Sequence, residues 1–478
     1  MDEHIDHSRR AASATLLGAG AALALPGCGR SAPDPLEVGD IAAIDRTRVA
    51  RIAQPRSTAE VDALLRDSNG AVSVGGACYS MGGQVSAADS LHLDLRSLIG
   101  VVRLDREAQR IRVRSGMRWR DVQDQIDPHD LSIAVMQSYS NFSVGGSISV
   151  NCHGRYLHAG PIAHTVQALQ LVDAQGSVHE LDRQRDPALF AAAIGGYGGL
   201  GVITEAELSL AHNDLLERHV QQLPLADYPA FFAERIASDP LAVMHNADLM
   251  PPRFDQPLAV TWRRSIATPT EPRRLLPRGQ DYARERSLIW AASELPMGPW
   301  LRERYQTEPL LHTPAVMRRN CQASLDANAL EPRTRRLSTF LLQEYFVPVA
   351  AFAAFAQDMA AILRRHEVNA LNVSIRHSPA DTVALLRWAT QPVFSFVLYH
   401  KQRSGMAADR DAAVWTRQLI DAALAHGGRY YLPYRLHAST RQFAAAYPEA
   451  EAFARIKHQV DPQGRFRNHL WDKYLPRA

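Results

Sequence analysis

Three glycine-rich stretches between residues 74 and 201 narrow the possible folds further than any other feature of this chain. The first is Val74-Gly75-Gly76-Ala77-Cys78-Tyr79-Ser80-Met81-Gly82-Gly83-Gln84. The second is Ser143-Val144-Gly145-Gly146-Ser147-Ile148-Ser149-Val150-Asn151-Cys152-His153-Gly154-Arg155, and the third spans Gly195–Gly201. Glycines at a strand end let successive backbone N–H groups turn toward one anion, a phosphate nest that needs no lysine. Ser80, Ser143 and Ser149 add hydroxyl donors. A diphosphate held by neutral donors suits a tightly kept nucleotide better than one that leaves at each turnover. Any single stretch also reads as turns and close packing; three together point to a nucleotide. Gly196-Tyr197-Gly198-Gly199-Leu200-Gly201 matches GxGxxG to the letter. A Rossmann fingerprint, however, follows a strand and opens a helix. Here a helix-like stretch comes before it and Val202-Ile203-Thr204 reads as a strand after it, so a Rossmann site is not expected.

The surrounding chain mixes helices and strands. Ser57-Thr58-Ala59-Glu60 is a capping-box pattern, and Val61, Leu64 and Leu65 follow at helical spacing until Asn69-Gly70. Val72 and Val74 open a strand that runs into Gly75. Leu91, Leu93 and Leu95 alternate with His92 and Asp94 as in a half-buried strand, and Ile111 and Val113 alternate with arginines. Residues 168–181 predict a hairpin turning at Asp173–Gly176. Asp186-Pro187 starts a short helix through Ile194. This order predicts an α+β domain. The central stretch reads as helix-rich and then strand-rich, with alternation in Leu371–Ile375 and Phe394–His400. Pro251-Pro252 and 268–279 are loops.

Charge and cysteine usage exclude several classes. The chain has 478 residues, with 53 Lys+Arg against 50 Asp+Glu, and a net charge of +3 gives no footprint for nucleic acid. Cys28, Cys78, Cys152 and Cys321 show no CxxC spacing, so neither a disulfide framework nor a metal site is expected. Arg9-Arg10 followed by the uncharged run Ala11–Leu25 reads as an export signal over 1–28, of the twin-arginine type. Leu25-Pro26-Gly27-Cys28 is similar to a lipoprotein-processing box, with Pro26 as a departure from it. Residues 29–40 read as a linker. The expectation is an exported protein of the bacterial periplasm or envelope, touching membrane only through a lipid on Cys28.

At these motifs the chain resembles the FAD-dependent oxidoreductases of the vanillyl-alcohol-oxidase (PCMH-type) fold. The first stretch resembles their pyrophosphate loop, the second their VGG…HG segment, and Gly195–Glu205 their closing GG-x-G-x-x-GVIT element. Phe466-Arg467-Asn468-His469-Leu470-Trp471-Asp472-Lys473-Tyr474-Leu475 is similar to the tail of the sugar-lactone, alditol and decaprenylphosphoryl-ribose oxidase branch. The resemblance implies an α+β chain with a two-subdomain FAD domain over 41–215. A separate α+β cap (substrate) domain would cover 216–425, with 426–478 returning to the FAD domain. It implies cofactor contacts at Val74, Gly75, Gly76, Ala77, Cys78, Tyr79, Ser80 and Gln84 in the first stretch. In the second it implies Ser143, Gly145, Gly146, Ser149, Cys152, His153 and Gly154, followed by Gly201, Ile203 and Asn468. Many members carry a histidine, linked to the flavin, where this chain has Tyr79; noncovalent FAD is therefore expected. Bicovalent members place a cysteine shortly before the VGG glycines, where this chain reads Gln137-Ser138-Tyr139-Ser140-Asn141.

The flavin would supply the redox chemistry while the protein holds the substrate carbon and takes the hydroxyl proton. By resemblance, Arg376 and Arg435 are the expected substrate contacts, stabilising a developing alkoxide. Lys401 and Glu344 complete the catalytic set, while His400 and His437 rank low. The resemblance implies an oxidoreductase acting on an alcohol group of a polyol, sugar or sugar lactone, with O2 or another acceptor. Two alternatives stay open: a dehydrogenase passing electrons to a quinone or protein, and an envelope lipoprotein that binds flavin without turnover.

Overall fold

The computed structural model describes residues 34–332 and 334–475. The export signal read over 1–28, with Arg9-Arg10 and Cys28, lies outside the described residues.

Strands Arg51–Ala53, Leu91–Asp94 and Val72–Gly75 form a three-stranded parallel sheet with Leu91–Asp94 in the middle. Its alternation predicts one wet face, yet all of Leu91–Asp94 is buried. A central parallel strand is covered on both sides. Its two polar residues are therefore partnered: His92 Nδ1 lies 3.0 Å from Ser73 Oγ, and Asp94 accepts from Gln54 Nε2 and pairs with Arg96. Helix Thr58–Arg66 begins where Ser57 Oγ accepts the Glu60 N–H, and it packs Val61 and Leu65 against Val72 and Leu93. The C-terminal chain enters this sheet as well. Val72 donates to Arg465 O at 2.7 Å and accepts from Arg467 N at 2.9 Å, placing Phe466 parallel to Val72.

The second sheet is antiparallel, in the order Val178–Asp182, Val166–Val172, Val202–His212, Arg110–Arg114, Val101–Asp105; Leu131–Ile133 adds to the long strand Val202–His212. The predicted hairpin turns at Asp173–Gly176. Asp173 Oδ1 accepts from Gln175 N and Ser177 N, and Gly176 takes φ +82°, a left-handed value that glycine adopts without strain. Helix Pro187–Ala193 is capped by Asp186. It precedes Gly196–Gly201 and a strand follows, the reverse of a Rossmann order.

The linker read over 29–40 overlaps real structure. Glu37–Gly39 pairs with Arg46–Arg48, and Asp40 accepts from Ala42 N and Gly83 N. Three-residue strands fall below the length at which alternation is readable.

The cap is an eight-stranded antiparallel sheet. Its order is Val316–Arg318, Leu215–Gln222, Leu258–Arg264, Ala242–Leu249, Asn369–Ser378, Val393–Arg403, Ser338–Pro348, Arg429–Tyr430. The sequence predicted helices first in this region; instead three strands precede helices Ala283–Glu294 and Glu308–His312. The strand Ala242–Leu249 is buried at Ala242–Ala247, so it offers no alternation to read. Arg429–Tyr430 pairs with Phe346 and Tyr345, so the cap sheet reaches past 425 before the chain returns. Helix Phe352–Arg365 covers one sheet face, with Phe352 and Phe355 against Phe396 at 5.3 and 4.8 Å between ring centroids. Burying each such ring contributes roughly 1.5–3 kcal/mol. The opposite face, carrying the even-numbered residues 340, 342 and 344, is left for a site.

Candidate active site

Between the glycine-rich loops and that free cap face lies a cavity of about 1,580 Å³, counting its open mouth. Val74, Gly76, Ala77, Cys78, Tyr79 and Ser80 form one wall, at the end of the strand Val72–Gly75. Ser143, Gly145, Gly146 and Ser149 form a second, on and beside the short helix Val144–Ser149, where a strand end was expected. The two walls touch: Ala77 N donates to Ser143 Oγ at 3.2 Å, and a Cβ added to Gly76 would stand 2.3 Å from that oxygen. Gly145 serves by closeness instead of as a donor. Its N–H is taken by Ser115 O at 2.8 Å, and a Cβ there would meet Ser115 Cβ at 2.7 Å. Gly201 and Ile203 complete this end.

Gln84 also lines the cavity, and its amide does a second job. Its Nε2 donates to Leu432 O at 2.7 Å and Tyr434 O at 2.9 Å, while Met81 N donates to Pro433 O. These bonds fasten the returning segment to the first glycine loop and set Tyr434 in the cavity. Tyr434 OH donates to Glu344 Oε2 at 3.2 Å, and His153 Nε2 lies 2.6 Å from Glu344 Oε1. The His153 ring is boxed by Trp388, Phe346 and Tyr431, with centroids 4.9, 5.6 and 5.9 Å away. Burial lifts the Tyr434 phenol well above its ordinary pKa, the Glu344 charge lifts it further, and Arg376 draws it back.

The cap sheet's register explains the polar face. Asp248 stands opposite Ser374, Ser374 opposite Val397, and Val397 opposite Glu344, so this row shares one face of the pleat. Arg376 is two residues along from Ser374 and lines the cavity, as does Tyr399.

The sequence-predicted residues therefore divide. Arg376 and Glu344 line the cavity, together with Cys152, His153 and the loop residues already named. Burial pushes both cavity thiols up, Cys78 to about 11. Arg435 and Lys401 are not brought to it. Tyr434 lines the cavity, whereas Arg435 lies outside the lining, paired with Asp409 (2.7 Å) and Asp45 (2.5 Å). Lys401 pairs with Glu294 and lies over the Phe340 ring. Gly75, Gly154 and Asn468 stand behind the lining. A Cβ on Gly75 would strike His92, one on Gly154 would strike Met136 O, and Asn468 caps the last helix while donating to Tyr197 O at 2.7 Å. His400 is buried against Trp415 and His437 pairs with Asp409. Sequence reasoning missed Tyr434, Tyr139, Gln137 and Ser115 in the lining.

The residues present fit a flavin dinucleotide. The close approach of Gly76 to Ser143, and the buried, unpartnered Ser115 Oγ and Arg376 Nε beside the cavity, leave donors for a polar ligand. Comparison with known proteins agrees. Residues 49–182 match the family described as FAD binding domain, and residues 315–477 match that described as D-arabinono-1,4-lactone oxidase. The alditol oxidase of a Streptomyces species is 26% identical over 400 residues, covering 80% of this chain and 84% of that protein. The mitochondrial L-galactono-1,4-lactone dehydrogenase of Arabidopsis thaliana is 31% identical over 169 residues, 34% of this chain and 27% of the relative. The L-gulonolactone oxidase of Mus musculus is 31% identical over 158 residues, covering 32% and 36%. The aligned part of the chain thus spans about a third or less of the length of these two lactone enzymes. With an FAD binding domain followed by a D-arabinono-1,4-lactone oxidase domain, the chain is similar to PCMH-type flavoproteins of the sugar-lactone and alditol oxidase branch.

Proposed function

We propose that this flavoprotein oxidises an alcohol carbon of a sugar-like substrate, with FAD held noncovalently between the glycine loops and the cap. The observation that carries the reading is one cavity shared by the Gly76–Ser143 cradle and the polar cap residues Glu344 and Arg376. Bound FAD supplies the hydride acceptor. Gly76 and Ser143 would hold its diphosphate; Ser143 Oγ, accepting from Ala77 N, keeps its own proton to donate outward. The paired His153 and Glu344 are placed to take the hydroxyl proton, with Tyr434 orienting the carboxylate. Arg376 would stabilise alkoxide character on the substrate oxygen. Burial of Tyr79 against Phe142 raises its phenol to about 12, and a protonated phenol is a poor partner for a flavin bond, which supports the noncovalent reading. Names among the relatives, alditol oxidase and L-gulonolactone oxidase, support polyols and lactones as the first compounds to test. O2 or another acceptor would then reoxidise the flavin. Arg9-Arg10 supports delivery to the bacterial envelope, with Cys28 as the position a lipid would occupy.

The test is to purify the protein, record its visible spectrum, precipitate it with acid and mix it anaerobically with a panel of polyols, lactones and sugar acids. Yellow protein that releases FAD to the supernatant and is bleached by one compound class is expected. Colourless protein that cannot be reconstituted with FAD refutes the assignment. Flavin left on the precipitate refutes noncovalent binding alone.

A further inference from the structure

Away from the flavin cavity, the cap buries an arginine without giving it a partner. Among the described residues the three most buried arginines are Arg302, Arg319 and Arg465, at 7%, 5% and 8% exposure. Arg465 donates to the carbonyls of Leu65, Ser68 and Ala174. Arg319 donates to Ile133 O at 3.0 Å and Ala134 O at 2.8 Å, and it lies over the Tyr156 ring. Arg302 makes no hydrogen bond, ion pair or ring contact among the described residues. Burial lowers its pKa, and no acid offsets that loss.

Arg302 lines a second cavity instead, of about 660 Å³ counting its open mouth, which shares no lining residue with the first. One wall stands where two cap strands end: Gln222 pairs with Leu258, and Gln222 Nε2 donates to Gln256 Oε1 at 3.3 Å. The loop that carries Gln256 is fixed by two bonds of 2.9 Å, from Phe254 N to Met250 O and from Leu225 N to Asp255 O. The facing wall holds Arg302, the last residue of helix Gly298–Arg302, and Thr307, which is 2% exposed with its hydroxyl unpaired. Two acids also reach this cavity, Asp255 and Glu303. Both are exposed; Asp255 is paired with Arg253 at 3.5 Å. Solvent ions screen these acids far more than they screen a recessed guanidinium. Such a guanidinium is best satisfied by an oxyanion, whose lone pairs match its planar fork of N–H donors.

We propose that this cavity is a second ligand site, separate from the flavin cavity, in which Arg302 and the Thr307 hydroxyl receive the oxyanion of a small phosphate or carboxylate. The site carries a stability signature. A charge buried without a counter-charge opposes folding, and an apolar residue of similar size in its place relieves that cost. A ligand that binds the folded chain alone adds stability as its concentration rises.

The experiment records the melting temperature of the full chain, as purified, while inorganic phosphate or acetate replaces chloride at constant ionic strength. The wild type should melt higher as either anion is added, and the anion that acts at the lower concentration tells phosphate from carboxylate. Arg302→Met should melt no lower than the wild type in chloride and should lose that rise. Calorimetric titration with the stronger anion should show one site per chain, weakened about ten- to a hundredfold in Arg302→Gln, the range for hydrogen bonds to a charged group. Arg302→Lys, which keeps the charge and loses the fork, should retain part of the affinity. A wild-type response no larger than that of Arg302→Met overturns the proposal, since water alone would then fill the cavity. An Arg302→Met variant that melts well below the wild type in chloride also overturns it, because the arginine would then be serving the fold. Neither readout requires turnover, so both judge this site whatever the flavin cavity oxidises.

Discussion

Gly76→Ala tests whether the two glycine loops act as one cradle. The new Cβ would stand 2.3 Å from Ser143 Oγ but 3.4 Å from Ser143 Cβ, so the conflict is with the hydroxyl alone. The serine escapes by rotating, and its rotation strands the Ala77 N–H that it accepts at 3.2 Å. An unpaired donor of this kind costs about 1–3 kcal/mol. Because the hydroxyl is also lost to the cofactor, FAD affinity should fall roughly ten- to a hundredfold, at about 1.4 kcal/mol per factor of ten. Ser143→Ala removes the same hydroxyl and leaves a tolerable 3.4 Å contact to the new methyl. The double variant should therefore bind FAD about as well as Ser143→Ala alone, a non-additivity of about 1 kcal/mol or more. Reconstitution of apoprotein with FAD, followed by flavin fluorescence quenching, measures all four corners of the cycle. Strictly additive losses, or wild-type affinity in Gly76→Ala, would refute the cradle.

Glu344→Gln should keep FAD bound yet slow flavin reduction by substrate about a hundredfold, the lower end of general-base contributions, measured by anaerobic stopped flow; an unchanged rate removes Glu344 and His153 from proton transfer. Arg435→Ala should leave that reduction rate unchanged and cost about 1–3 kcal/mol of stability in denaturant unfolding, because Asp409 loses its guanidinium partner and keeps only His437; a slow but fully stable variant would reinstate Arg435 as a substrate contact. Burial depresses His400 to about 4, so the folded state binds fewer protons than the unfolded state between about pH 6.5 and pH 4. The stability is present above about pH 6.5 and is lost as pH falls, at up to about 1.4 kcal/mol per pH unit. His400→Phe should flatten the pH dependence of unfolding by that slope, and an unaltered slope would contradict it. Replacing Arg9 and Arg10 with Lys should leave unprocessed precursor in the cytoplasm, seen by fractionation; normal processing would exclude the twin-arginine route.

What was legible in the sequence follows from how local each signal is. Ser57, Asp173 and Asp186 announce their helix or turn through one side chain bonding a backbone a few residues away, and each does so in the structure. Buried strands gave no such signal. Leu91–Asp94 looked half-wet because alternation reports polarity and cannot report that a second layer covers His92 and Asp94. The cap strands Ala242–Leu249 and Leu258–Arg264 are covered along most of their length and read as nothing in particular. Within the site, the glycine loops were readable because the need for missing side chains is written in the residue type. Arg435 was favoured over Tyr434 because charge suggests chemistry, whereas direction depends on Gln84 gripping carbonyls about 350 positions away.

The pairing of Phe466 beside Val72 sets a timetable for biosynthesis. The ribosome delivers the chain from its N-terminal end, and the strand carrying the first glycine loop must wait roughly 400 residues for its outer neighbour. At about 5–20 residues per second that interval is on the order of 20–80 s. Gln84 waits almost as long for the carbonyls of Leu432 and Tyr434. A nascent chain therefore has no finished compartment for a dinucleotide until translation is nearly over. A truncation ending before Arg465 should emerge unable to retain the coenzyme, even with every glycine-rich stretch present.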